Sequence, residues 1–168
     1  MASGADKTSM GRWVWTLLSG KNSVKLRVIS GYQPNLDYND RRGTVFSQQE
    51  QYLRSHNNNR NPQRAFVKDL EAQLDLWMRE GNLIIIGLDA NDNVQTGPVN
   101  AMLRSQGLVE VHSNQHPHLP TRATCNKNTR ATLVDGIWSS PSLKCSAVGY
   151  LGFGEIVIGQ NRSLFDLG

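Results

Sequence analysis

The sequence predicts an α/β fold, and three stretches carry the prediction. Trp13–Leu18 and Lys25–Ser30 are two runs rich in β-branched and aromatic residues, joined by the turn formers Ser19-Gly20-Lys21-Asn22-Ser23, which is a β-hairpin signal. Between Asn61 and Gly81, Val67, Leu70, Leu74, Trp77 and Met78 recur at intervals of three and four, one apolar stripe of an amphipathic helix. Leu83-Ile84-Ile85-Ile86 then follows as a short strand that reads as buried on both faces, bounded by Gly81-Asn82 and Gly87. A hairpin, helices and a buried strand in that order are α/β organisation.

Each element has a local reason. Residues 1 to about 11 are small and polar and read as a flexible leader before a single domain over 12–168. Pro34 ends the second strand of the hairpin, because it cannot donate to a ladder and it biases Gln33 away from helix. Asp37–Gly43 is a surface loop, and Val45–Arg54 forms a short helix. Asn61-Pro62 supplies an N-cap and a proline at the first helical position, while Gly81 stands where a left-handed C-cap belongs. Beyond the central strand, Gly97-Pro98 opens a helix through about Ser105, closed by Gly107. Leu108–Val111 is a short strand, and His112–Lys127 is a long loop of the kind that is often functional. Thr132–Trp138 and Leu143–Leu151 read as two strands joined through Ser139–Ser142, and Arg162–Leu167 alternates like a last one.

Composition narrows the class. A chain of 168 residues with 38% hydrophobic residues suffices for one domain, burying roughly 70% of its unfolded surface. No stretch approaches the ~20 apolar residues of a membrane span, and the start lacks the apolar core of a secretory signal, so an intracellular setting, cytoplasmic or nuclear, is expected. Cys125 and Cys145 are too few for a disulfide framework and are expected as reduced thiols, Cys145 as a small core residue. The formal charge of +4 favours an anionic partner. Arg122, Lys127 and Arg130 lie between Pro120 and Leu133 with no acid among them, so a phosphate-bearing ligand is attracted there.

The residues able to carry chemistry gather at strand ends. Asp89 and Asn91 follow the aliphatic strand, where an α/β sheet binds its ligands, and Asp135 is flanked by Leu133, Val134, Ile137 and Trp138, so its carboxylate needs a partner. Two carboxylates brought together this way bind Mg²⁺, with Mn²⁺ as a substitute, and leave positions open for water and phosphate oxygens. The amide of Asn91 can donate to a phosphate without adding charge. The competing reading is structural: Asp89 and Asn91 make Asx-type turns after the strand. Glu50 reads as a solvated helix residue, and the spacings of His112, His116, His118 and Cys125 match no zinc pattern.

Read together, Gly31-Tyr32-Gln33-Pro34, Gly87-Leu88-Asp89-Ala90-Asn91, Val134-Asp135-Gly136-Ile137 and Gly159-Gln160-Asn161-Arg162-Ser163-Leu164-Phe165 resemble the endonuclease/exonuclease/phosphatase family, the DNase I-like phosphodiesterases, and most of all the endonuclease domains of reverse-transcriptase-type mobile elements. The resemblance runs from Trp13 to Leu167. It implies part of a four-layer α/β sandwich, a mixed sheet with helices packed on one face, and a Mg²⁺-dependent hydrolase acting on nucleic acid or another phosphate ester. It also implies roles: Tyr32 hydrogen-bonds the scissile phosphate, Asp89 handles the proton of the attacking water or of the leaving oxygen, Asn91 binds phosphate, and Asp135 supports the centre, Asp89 and Asp135 facing the metal.

Two departures qualify this expectation. Where the family has an aspartate followed by a histidine, this chain reads Gln160 and Asn161, neither of which is a general base near neutral pH. The half of the family fold that precedes the tyrosine motif, with its metal-binding glutamate, is not in this sequence, so the domain reads as truncated. The alternative to a nuclease of impaired activity is an inactive relic that binds nucleic acid or protein. A sheet face left uncovered by truncation predicts a homodimer.

Overall fold

The computed structural model describes residues 1–36, 43–119, 123–127 and 130–149. Its centre is a six-stranded mixed sheet. The strands are β1 (Ala2–Ala5), β2 (Trp13–Ser19), β3 (Lys25–Tyr32), β4 (Asn82–Asp89), β5 (Val109–Glu110) and β8 (Asp135–Ser139), in the spatial order β1-β2-β3-β4-β8-β5. Only the β3–β4 pair is parallel; the other four pairings are antiparallel. A second, two-stranded ladder joins β6 (Cys125–Lys127) to β7 (Arg130–Thr132).

The helices form where capping and periodicity dictate. Thr44 accepts the Ser47 N–H to start α1 (Val45–Ser55). Asn61 accepts the N–H groups of Gln63 and Arg64 at 2.9 and 3.4 Å to start α2 (Pro62–Arg79). Gly81 leaves α2 at φ +78°, a conformation that costs a residue with a Cβ but not glycine. The helix α3 (Pro98–Ser105) follows, and α4 (Val111–Gln115) is a short turn capped by Glu110, which accepts from His112 and Ser113. Among the described residues no helix is long and apolar enough to cross a membrane.

The core lies on one face of the sheet. Phe66, Leu70, Leu74 and Trp77 of α2 and Val99, Met102 and Leu103 of α3 pack against Trp13, Ile29, Ile84, Ile86, Leu88 and Trp138. Truncating a fully buried leucine such as Leu70 here costs about 2–5 kcal/mol, because the void cannot fully close. Phe66 belongs to this stripe beside the expected Leu70, Leu74 and Trp77, whereas Val67 and Met78 lie at its margin. Arg27 crosses the same face, its guanidinium 4.1 Å from the Trp15 ring and 4.3 Å from the Trp77 ring, and burial lowers its pKa against the opposing charge of Glu80.

The opposite face is uncovered among the described residues, and this corrects the expectation that the aliphatic strand is buried on both sides. Along β4, burial alternates: Ile84, Ile86 and Leu88 are buried, while Leu83, Ile85 and Asp89 are only partly covered. Val14, Leu18, Val28, Tyr32 and Ile137 are exposed on the neighbouring strands.

Further differences have physical causes. The expected leader contains β1, which pairs with β2 although its Ala-Ser-Gly-Ala sequence carries no strand propensity. An ion cluster anchors this corner: Arg12, fully buried, binds Asp6 (Nη2 to Oδ1, 3.0 Å), and its Nη1 reaches Asp69 of α2 at 2.9 Å. The expected 132–138 strand divides into β7 and β8, because the Leu133 and Val134 carbonyls accept the N–H groups of Val94 and Ala90 instead of extending a ladder. The expected 112–127 loop contains α4 and β6, and Leu143–Gly149 carries no strand; the remainder of the expected 143–151 strand, the 37–42 part of the surface loop and the 162–167 strand lie outside the described residues. Cys145 is half-buried rather than core, its thiol 3.1 Å from the Ala147 carbonyl oxygen.

Burial raises the Asp6 carboxyl pKa, but hydrogen bonds from Arg12 and Thr8 outweigh it and hold the group below its ordinary value. The stability Asp6 contributes is therefore complete above the unfolded carboxyl pKa, about 3.9, and is lost as pH falls through the lower native value. In urea unfolding at neutral pH, Asp6→Asn is expected to destabilise by about 3–5 kcal/mol, as for breaking a buried pair. That gap from the parent chain is expected to narrow as the pH is lowered below about 3.9.

Candidate functional site at the carboxyl end of the sheet

Register brings three polar side chains into one row. The parallel β3–β4 ladder sets Tyr32 beside Asp89, and the antiparallel β4–β8 ladder sets Asp89 opposite Asp135. Strand alternation turns all three toward the uncovered face. Residues directly opposite in an antiparallel pair have Cβ atoms about 5 Å apart, so two like charges here disfavour each other and favour a cation between them. Asp89 and Asp135 are half-buried and Tyr32 is 37% exposed.

The loop after β4 is held by the backbone. The Asp89 carbonyl accepts the Gln33 N–H at 2.9 Å, and the Asp89 carboxylate accepts the Asn91 N–H at 3.1 Å, an Asx-type turn. Asn91 adopts φ +42°, a left-handed conformation that asparagine tolerates, and its amide donates to the Gln33 carbonyl at 2.8 Å. The Asx-type turn expected of Asp89 is formed and leaves its side chain on the sheet face, whereas the Asn91 side chain bonds across to β3 instead of making a turn of its own. Asn91 points its bond toward the end of β3, away from the carboxylate pair.

On the other side, Thr124 accepts the N–H groups of both Val134 and Asp135 at 3.0 Å and so sets the backbone that carries the Asp135 carboxylate. A cleft of ≈ 490 Å³ opens over Asp89 and Asp135 and is also lined by Glu110, His112 and Thr124. These three were not among the sequence candidates for this site. Glu110 had a legible signal, an acid within a short predicted strand. Thr124 had none, because its role arises from a contact ten residues along the chain. Behind the cleft, on the core face, Gly136 leaves room for the Trp138 ring, which would stand 2.7 Å from a Cβ there.

Among the described residues, no three His, Cys, Asp or Glu side chains gather as a metal-ligand set. The donors that do converge are the two carboxylates of Asp89 and Asp135, a set that suits Mg²⁺ only if water or substrate oxygens complete its shell. His116 stands behind the cleft lining, its ring 5.1 Å from that of His112 and its Nε2 3.0 Å from the Val148 carbonyl oxygen, whereas Glu50 pairs with Arg54 on the surface of α1. Arg122, Gln160 and Asn161 lie outside the described residues, and Arg130 begins β7.

Fold and site together define a mixed α/β sheet protein with a tyrosine and an acid at the carboxyl ends of β3 and β4 and a second acid at the start of the antiparallel β8. No family model and no curated protein matches the sequence. Among solved structures, the chain is similar to the human Nocturnin catalytic domain with bound sulfate, at 12% identity over 84% of this chain and 47% of that one, with a TM-score of 0.48. It is also similar to Staphylococcus aureus beta toxin 275–280, at 15% identity over 78% and 44% with a TM-score of 0.43, and to a beta hairpin deletion mutant of that toxin, at 13% over 90% and 56% with a TM-score of 0.43. The chain spans about half the length of these structures. Likenesses this distant assign no substrate and no site residue to the chain.

If the paired carboxylates repel, Asp135→Asn is expected to raise the melting temperature in chelator by an amount corresponding to about 0.2–1 kcal/mol. Adding Mg²⁺ is expected to stabilise the parent chain and leave Asp135→Asn unmoved, as read by differential scanning fluorimetry.

Proposed function

We propose that this chain is a DNase I-like phosphodiesterase domain that hydrolyses phosphate esters in nucleic acid with the help of Mg²⁺ (or Mn²⁺). The observation that supports this reading most directly is the row of Tyr32, Asp89 and Asp135 across three adjacent strands, on a face open to a ligand. In this reading Tyr32 donates its hydroxyl to a phosphate oxygen, and Asp89 takes the proton of the attacking water. The water oxygen bonds to phosphorus as the ester P–O bond breaks, and the leaving oxygen takes up a proton from solvent water. Asp135 orients the centre from the neighbouring strand. A bound Mg²⁺ supplies charge neutralisation at the phosphoryl oxygens. Arg122 and Arg130 are assigned to the phosphate backbone by their position in sequence.

One observation favours a second reading, that of a non-catalytic binding module. Asn91, the expected phosphate ligand, commits an amide hydrogen to the Gln33 carbonyl. Plasmid nicking separates the two. The enzymatic reading expects Mg²⁺-dependent nicking that Asp89→Ala reduces by about 10²–10⁴-fold, as for loss of a general base, and that Gln160→Asp with Asn161→His increases. No cutting by either the parent or the double variant leaves the binding module as the better description.

We also propose that the β2–β3 side of the uncovered face, where Val14, Leu18 and Val28 are exposed, is where two copies associate. Multi-angle light scattering is expected to give twice the 18.7 kDa of one chain, and Val28→Lys is expected to return a monomer. A parent chain that is monomeric at high concentration overturns this.

A further inference from the structure

A second and larger cleft, ≈ 680 Å³, lies on the other side of the same strand ends, between the start of α2, the β3 and β4 termini and Pro98 of α3. Its volume is within the range of small-ligand sites. Leu36, Val67 and Pro98 give it apolar walls. Two of its residues carry buried acceptors with no hydrogen-bond partner among the described residues: the side-chain oxygen of Gln33, a residue only 2% exposed, and Oδ2 of Asp92. Buried acceptors left unsatisfied are unfavourable, so a ligand that brings N–H donors to them gains affinity.

The rim is basic. Arg60 stands just before the Asn61 cap, and Arg64 and Lys68 are four residues apart on the first turns of α2. Arg60 is bound to Asp69 at 2.9 Å and Lys68 to Glu71 at 2.7 Å, but the guanidinium of Arg64 has no ion-pair partner among the described residues. Apolar walls, unpartnered acceptors on two of the lining residues and an available guanidinium at the rim match a ligand that has an apolar face, amino donors and a phosphate.

We propose that this cleft binds the nucleotide unit next to the scissile phosphate, with an amino-bearing base between the apolar walls, its N–H groups on Gln33 and Asp92, and its phosphate on Arg64. Gln33 ties the cleft to the carboxylate row, because its N–H and its carbonyl hold Asp89 and Asn91. The placement of the scissile phosphate rests on the phosphodiesterase reading. Nucleotide binding does not, and it is measured without cleavage in chelator.

The test is isothermal titration of the full chain with adenosine monophosphate, uridine monophosphate, adenosine and inorganic phosphate. Adenosine monophosphate is expected to bind at least about tenfold more tightly than phosphate or adenosine, and more tightly than uridine monophosphate, which offers one ring N–H and no amino group. Arg64→Ala, an exposed change that leaves the core intact, is expected to weaken the nucleotide by about tenfold and to leave adenosine unchanged. Gln33→Met is expected to bring the two monophosphates to equal affinity. The proposal is overturned if phosphate binds as tightly as the nucleotide, or if Arg64→Ala binds adenosine monophosphate as the parent does. Nucleotide binding without plasmid cutting would retain this cleft and reject only the catalytic reading.

Discussion

The parallel ladder between β3 and β4 is the constraint on which the rest depends. Parallel neighbours cannot be joined by a tight turn, so α1 and α2 must occupy the crossover between them, and α2 then has no place to bury its apolar stripe except against the sheet. The same pairing fixes which residues stand together at the strand ends. Tyr32 and Asp89 are register partners, and the next residues along, Gln33 and Asn91, are joined by hydrogen bonds across the end of the ladder. A slip of one residue would turn Asp89 into the hydrophobic core and Leu88 onto the open face, so the energy of core packing holds the polar row in place.

The two faces of the sheet consequently do different work. The helix face holds the large side chains and the one strongly buried cation among the described residues that is paired with acids, Arg12, which ties the β1–β2 corner to α2. The open face carries aliphatic side chains over most of its width and acids at one end. That asymmetry is unusual for a sheet facing water, whose outer residues are ordinarily polar.

Where one segment decides its own structure, the sequence was a good guide. The hairpin, α2 with its asparagine cap and glycine exit, and the aliphatic strand are all local patterns, and Asp89 and Asp135 were legible as polar residues at the ends of apolar runs. Features decided by distant partners were not legible. The strand at 132–138 divides because Ala90 and Val94 compete for its carbonyls, and β1 exists because β2 offers it an edge. Glu110 and His112 join the cleft only through the pairing of β5 with β8. The amide of Asn91 suits a phosphate oxygen by its chemistry, but the left-handed backbone there accompanies an amide bonded to the Gln33 carbonyl.

The stack of Trp15, Arg27 and Trp77 gives the molecule an optical property. Two indoles are held edge to face at 5.7 Å with the single Arg27 guanidinium against both, one ring on the sheet and one on α2. Coupled transitions in so fixed a geometry produce near-ultraviolet circular dichroism only while the helix is seated on the strands. A loosened state that keeps its helices and strands would lose this band and retain the far-ultraviolet signal. The seam between α2 and the sheet can therefore be followed by its own spectrum, separately from the secondary structure on either side of it.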